Sequence, residues 1–265
     1  MPAPFHDTSD GPLRLAALLS GSGTNIRKII EHQKKLEEKE KKSPFKVVAL
    51  FSDSIRSRAP EIGKDFDIPV IIRDIDSFYS HRNKKRSDLS IRPEFDLEIV
   101  KALSPYGVNA AVYGGYMSIV TSPLIEAFWG FNVHPADLSI EIDGIRRFTG
   151  GHAVRDAILA GEKTIAASTH IIEQVVDGGR LLMISQPLPV VIKKEWDLSI
   201  PDDLKKAENF NQERLKKAGD WVIYPKTIEY IARGRFGKDE TGLLYFDDKP
   251  IPKGLRWEDH RETAR

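Results

Sequence analysis

Two residues apart on a strand, an amide and an imidazole leave the same face together. Asn132 and His134 have that spacing in Phe131-Asn132-Val133-His134, and Pro135 then stops the ladder. An amide can donate to a carbonyl oxygen as it gains negative charge, and an imidazole can hold or release a proton. Together they supply most of what acyl transfer requires. A carboxylate would complete the set. Asp177 is the expected one, in the tight Val176-Asp177-Gly178-Gly179 turn that ends a strand read over 164–173.

Other chemistries find less support. Ser20-Gly21-Ser22-Gly23-Thr24-Asn25 links an apolar run to a helix, and its glycines let backbone N–H groups gather at the helix start, a favourable place for phosphate. A plain strand-to-helix turn needs the same small residues, so both readings stay open. The stretch fails as a dinucleotide fingerprint because Ile26 occupies the place of the third glycine. Gly21-Ser22-Gly23 is not G-x-S-x-G, so a serine hydrolase is not expected. His134, His152 and His170 lack the His-x-x-x-His or Glu-x-x-His spacing of a metal site, and none is expected. His152 and His170 also lack the polar company that singles out His134.

The elements that must position these groups read as alternating strands and helices. Apolar runs at 13–19, 45–51, 69–72 and 109–113 suit strands buried on both faces. Helices are expected from about Asn25, over 59–66, from Pro93 to Leu103 and over 122–128. That order predicts an α/β fold: a doubly wound, mostly parallel, Rossmann-like sheet with helices on both faces and right-handed crossovers. Asn132 and His134 then fall at a carboxyl edge, where ligands collect in such sheets. Tyr116-Met117-Ser118-Ile119-Val120 begins at the same edge, either to wall a flat aromatic ligand or simply to pack.

The 74–91 stretch, with His81-Arg82-Asn83-Lys84-Lys85-Arg86, reads as a basic surface loop, and 136–151 as a mobile loop leaning over the site. Later come a helix over 152–159, a strand over 181–190, helices over 201–217 and 220–233, and a small hairpin over 242–252 around Asp247-Asp248. The expected organisation is a flexible segment over 1–12, an α/β domain over 13–236, and a C-terminal hairpin and tail over 237–265.

Composition narrows the class. In 265 residues the 40% apolar content supports a full core, and Lys+Arg 40 against Asp+Glu 39 leaves no basic field for nucleic acid. The absence of cysteine removes disulfides and thiolate chemistry and fits a reducing cytosol. No run approaches the roughly 20 apolar residues of a membrane span, so a cytoplasmic protein is expected.

Taken together, these segments resemble the folate-dependent formyltransferases. The resemblance rests on Ser20-Gly21-Ser22-Gly23-Thr24-Asn25, Gly115-Tyr116-Met117-Ser118-Ile119, Asn132-Val133-His134-Pro135, Thr169-His170 with Val176-Asp177-Gly178-Gly179, and Ile223-Tyr224-Pro225. It implies formyl transfer from 10-formyltetrahydrofolate, as cosubstrate and without a metal, to a small phosphorylated amine. In the purine-biosynthesis branch that it most resembles, the acceptor is glycinamide ribonucleotide. Also implied are Asn132, His134 and Asp177 as the catalytic trio and Gly23, Thr24 and Asn25 around the acceptor's phosphate. Asp220 would meet its amine. Arg92 would meet the folate's glutamate tail, and Tyr116, Met117, Ser118, Ile119 and Val120 would line the donor pocket. A monomer or homodimer is implied.

The chain departs from the family after Pro135 and at Asp220, where a longer Glu is usual. Another acceptor, such as a nucleotide sugar, and a non-catalytic folate- or nucleotide-binding role are the alternatives.

Overall fold

The computed structural model describes residues 2–258. An eight-stranded sheet forms its centre, from β1 (Leu13–Leu19), β2 (Phe45–Ser52), β3 (Val70–Ile72), β4 (Ala110–Tyr113), β5 (Trp129–His134), β6 (Ser168–Ile171), β7 (Leu181–Ile184) and β8 (Leu255–Arg256). Their order is β8-β7-β6-β5-β4-β1-β2-β3. The five strands from β5 to β3 are mutually parallel, whereas β6 runs antiparallel to both β5 and β7. The strand order reverses between β1 and β4, and a crevice opens there at the carboxyl ends.

Period-two alternation divides β1 between two cores. Leu13, Leu15, Ala17 and Leu19 face one apolar cluster, and Ala16 and Leu18 the other. The first core takes Ile26, Ile29 and Ile30 of helix α1 (Thr24–Glu40), Ala59 and Ile62 of α2 (Ala59–Phe66), and Ile223, Tyr224 and Ile228 from 221–232. The second takes Phe78 of α3 (Ile75–His81), Phe95, Ile99 and Leu103 of α4 (Arg92–Leu103), and Leu124 of α5 (Ser122–Ala127). Helices therefore cover both faces. Helices α6 (Ala153–Leu159) and α7 (Pro201–Leu215) also add to the first core, and α8 (Trp221–Ala232) closes the set.

Several segments differ from their sequence reading. The 74–91 loop contains α3, capped where the Asp74 side chain accepts from Ser77 N. The strand expected over 164–173 is two: Thr164–Ile165 pairs with Leu188–Pro189 in a separate ribbon, and only β6 joins the main sheet. Within 136–151, Glu141–Ile142 and Ile145–Arg146 pair across Asp143-Gly144, both with positive φ, the turn geometry that suits a two-residue hairpin.

A four-stranded antiparallel sheet joins Ala3–Pro4, Phe236–Lys238, Leu244–Phe246 and Lys249–Pro250. Residues 2–12, within the segment expected to be flexible, are thus built into the fold, and Phe5 packs edge-on against Trp129 with ring centroids 4.9 Å apart. The end of the expected tail, 259–265, lies outside the described residues. Among the described residues no helix is long and apolar enough to cross a membrane.

Candidate active site

Backbone register brings the site together. Asn132 pairs with Tyr113 of β4 on one side and with His170 of β6 on the other, and His134 pairs with Ser168. The buried Tyr224 hydroxyl lies 2.6 Å from the Phe131 carbonyl and 3.1 Å from that of Tyr113, tying α8 to both strands just below the reacting edge. Above that edge a cavity of about 640 Å³ is lined by 20–25, 113–120, 132–135, 150–151, 172–177 and by His170, Gln212, Lys216 and Asp220.

Asn132, His134 and Asp177 all reach this cavity. Asp177 Oδ2 stands 3.4 Å from His134 Nδ1, while Oδ1 stands 3.5 Å from His170 Nε2. Oδ2 also accepts the Gly150 N–H at 2.8 Å. The turn that delivers Asp177 is costly to build. Asp177 itself has φ of 52°, and a Cβ on Gly179 would lie 1.8 Å from the Ile171 carbonyl oxygen. Arg146 holds the turn from outside, donating to the Asp177 and Gly179 carbonyls.

His134 Nε2 donates to the Phe148 carbonyl at 2.9 Å, so both ring nitrogens face acceptors. Burial pushes its pKa below the ordinary value of 6.5, against the opposing pull of Asp177 and the Phe148 carbonyl; His170 and Arg146 add to the lowering. Burial raises the Asp177 carboxyl, but the neighbouring His170 and His134 rings and the Gly150 N–H outweigh it, and the group sits at about 2. A carboxylate beside an imidazole that protonates reluctantly is suited to collecting and passing a single proton.

His170 is the residue that sequence reasoning passed over. Its Nδ1–H donates to the Ile171 carbonyl at 2.9 Å, which leaves the Nε2 lone pair of the neutral ring to accept from Asn132 Nδ2 at 3.2 Å. One N–H of that amide remains for a ligand. Thr169-His170 preceding the Asp-Gly-Gly turn was the available signal.

Small residues and apolar residues line separate stretches of the cavity. Gly23 precedes α1 in the left-handed conformation with φ of 62°, and Thr24 and Asn25 open the helix, whose first N–H groups have no intrahelical acceptor. Met117, Ile119, Val120 and Ile172 supply apolar lining, with Met117 74% exposed. Ser118 donates a short hydrogen bond to buried Asp53 and accepts from Arg86 at 3.2 Å.

Asp220 sits at the end of a π-helical turn, Lys216–Asp220, and accepts from Asn25 Nδ2 at 3.3 Å. Its other carboxyl oxygen and Asn25 Oδ1 are buried without a partner among the described residues. Burial pushes its carboxyl up to about 7, against Asn25 and Lys216, which pull it down.

Arg92 is not at this site. It is 1% exposed and absent from the cavity wall, with Nη2 2.9 Å from Asp96 Oδ1 and 2.9 Å from the Tyr116 hydroxyl. A guanidinium sealed beneath Tyr116 and paired inside the core cannot reach out to a ligand's carboxylate; it props the wall from behind. Among the described residues no His, Asp and Glu cluster could hold a metal.

Comparison with known proteins gives the same direction. The phosphoribosylglycinamide formyltransferase of Haemophilus influenzae is 25% identical over 244 residues, covering 91% of this chain and 96% of the relative. That of Mycobacterium tuberculosis is 28% identical over 193 residues, covering 72% and 78%. The structure of glycinamide ribonucleotide transformylase 1 from Symbiobacterium toebii superposes with a TM-score of 0.64 at 23% identity, over 89% of this chain and 94% of that one. The Coxiella burnetii phosphoribosylglycinamide formyltransferase gives 0.66 at 21%, over 92% and 99%. These two structural likenesses bear on the fold. The formyl transferase family model matches residues 13–210, which include Asn132, His134 and Asp177, and the chain belongs to that family of enzymes.

Proposed function

We propose that this chain transfers a formyl group from 10-formyltetrahydrofolate to the primary amine of glycinamide ribonucleotide, with Asn132, His134 and Asp177 as the reacting set. The observation that most supports this reading is the convergence of an amide, an imidazole and a carboxylate on one cavity with unlike ends. Tyr116, Met117, Ser118, Ile119 and Val120 offer an apolar wall to a flat donor ring. Gly23, Thr24 and Asn25 offer backbone N–H groups to a phosphate. Asp220, with an unpartnered buried oxygen, offers an acceptor to the amine.

Asn132 donates to the formyl oxygen as the amine nitrogen attacks the formyl carbon and that oxygen takes up charge. His134 stabilises the same charge and then delivers a proton to the folate nitrogen as the bond from that nitrogen to the formyl carbon breaks. Asp177, already ionised, collects the proton that the attacking amine loses and returns it through His134, so the cycle closes with no net proton change.

Consumption of 10-formyltetrahydrofolate over a panel of amines tests this. Turnover with glycinamide ribonucleotide and little with nucleotide sugars is the expected result. Binding of a folate analogue with no turnover on any amine would overturn it in favour of a binding protein.

A further inference from the structure

Arg256 closes β8, the strand that pairs in parallel with β7 through Met183↔Leu255 and Ile184↔Arg256. Leu255 and Trp257 pack against the first core, which fixes the backbone on either side of it. The guanidinium lies outside the cavity lining. It forks instead onto the loop after His134: Nη1 donates to Asp137 Oδ2 at 2.8 Å and Nη2 to Ser139 Oγ at 2.8 Å. Asp137 Oδ1 in turn accepts from Ser139 N at 3.0 Å and Ser139 Oγ at 2.6 Å, so the fork grips a closed local turn.

That turn is the fixed end of a lever whose other end is in the site. On the sheet side Ser168 Oγ donates to the Ala136 carbonyl at 2.7 Å and accepts from Leu138 N at 3.1 Å. The Asp137 carbonyl then takes the Ile140 N–H at 3.2 Å, and the Ile140 carbonyl takes the Arg147 N–H at 3.1 Å. The next residue, Phe148, holds His134 Nε2, and Gly150 N–H holds Asp177 Oδ2. Ser168 secures the start of the loop from within and Arg256 from without.

We propose that Arg256 is a positioning residue, acting through Asp137 and Ser139 to hold the 136–151 loop so that the Phe148 carbonyl and the Gly150 amide fix His134 and Asp177. A lysine cannot serve both acceptors in this way, because it presents a single ammonium rather than a planar fork. The ion pair is partly exposed, with side-chain exposures of 43% and 13%, so its loss should barely move global stability. The inference rests on the proposed function only in assigning His134 and Asp177 to the reaction.

The test compares full-chain Arg256→Ala, Arg256→Lys and Ser139→Ala with the wild type by amide hydrogen exchange, His134 ring titration and steady-state formyl transfer. In Arg256→Ala, exchange across 136–151 should rise about tenfold or more while β1 is unchanged, because local opening no longer works against the fork. The His134 ring should titrate at lower pH, since the Phe148 carbonyl favours its protonated form. Turnover should fall about tenfold with KM for both substrates within about twofold, the pattern of lost positioning rather than lost binding. Arg256→Lys should recover part of each effect, and Ser139→Ala, which removes one arm and leaves β8 intact, should shift the same readouts by less. Unchanged loop exchange and unchanged His134 titration in both Arg256→Ala and Ser139→Ala would overturn the proposal. If both readouts shift as described while even the wild type transfers no formyl group, the positioning role stands and the proposed function falls.

Discussion

His170 stands opposite Asn132 across the β5–β6 ladder, its Nε2 3.2 Å from the Asn132 amide nitrogen. Because the Ile171 carbonyl takes Nδ1–H, the neutral ring can accept from the amide but cannot donate to it. The same Nε2 stands 3.5 Å from Asp177 Oδ1. One ring therefore couples the amide to the carboxylate.

The coupling predicts a non-additive double-mutant cycle. Removing an oxyanion donor costs about 3 kcal/mol, so Asn132→Ala should lower kcat roughly a hundredfold with the fold intact. His170→Ala should lower it about tenfold by letting the amide turn, and the double variant should be little worse than Asn132→Ala alone. Multiplicative losses in steady-state assays would mean that the two residues act separately.

Asp177→Asn should act on His134 as well as on turnover. Burial depresses the His134 pKa and the Asp177 carboxylate opposes that depression, so an amide in its place should let the ring titrate lower still. Ring NMR across pH 4 to 8 reads this directly, and a shift to higher pH would contradict the geometry. Loss of the proton acceptor should also reduce kcat by about two orders of magnitude or more.

The parallel half of the sheet was legible because 13–19 and 45–51 are largely apolar on both faces and turn residues follow them, Ser20-Gly21-Ser22-Gly23 after the first and Ser52-Asp53-Ser54 after the second. Strand direction was not, since a period-two pattern reads alike either way. Reversal of β6 is what sets His170 opposite Asn132, and without it His170 looked like a histidine with no company. Asn132, His134 and Asp177 were visible because short motifs with Pro and Gly-Gly punctuation carried them. The hairpin in 136–151 hid because two-residue strands are too short for a pattern, although Asp143-Gly144 is a turn signal. Arg92, beside Pro93 at a helix start, was assigned to the folate's glutamate tail by resemblance alone; Asp96 four residues on, its buried partner, was the sign that it points inward.

That burial makes Arg92 a test of stability rather than of donor binding. Arg92→Met removes one partner of a sealed pair and leaves Asp96 with Thr121 alone, whose N–H and hydroxyl each donate to Oδ2 at 2.6 Å. Breaking a buried pair in this way costs about 3 to 5 kcal/mol. Thermal melts should show a large loss, while KM for the folate donor of the remaining folded enzyme should stay close to the wild-type value. A donor KM that rises with little change in melting temperature would return Arg92 to the ligand.

Asp220 makes stability depend on pH. Its folded pKa, raised by burial to about 7 against an ordinary 3.8, fixes the sign: the contribution is fully favourable below pH 3.8 and is lost as pH rises through about 7. Above that pH the wild type carries a buried carboxylate with an oxygen that has no partner among the described residues. Asp220→Asn removes the titration while keeping the shape, and Asn25 can turn its amide to meet the new donor. The variant should match the wild type in unfolding free energy near pH 4, exceed it progressively up to about pH 7, by at most roughly 4 kcal/mol, and keep that margin above it. If the unsatisfied oxygen is there for the acceptor's amine, the same variant should raise acceptor KM about tenfold or more while leaving donor KM unchanged. Greater stability with unaltered acceptor KM would leave the buried charge without a use in this reaction. Greater stability with weakened acceptor binding is what a site that keeps an unpaired group ready for its substrate should give.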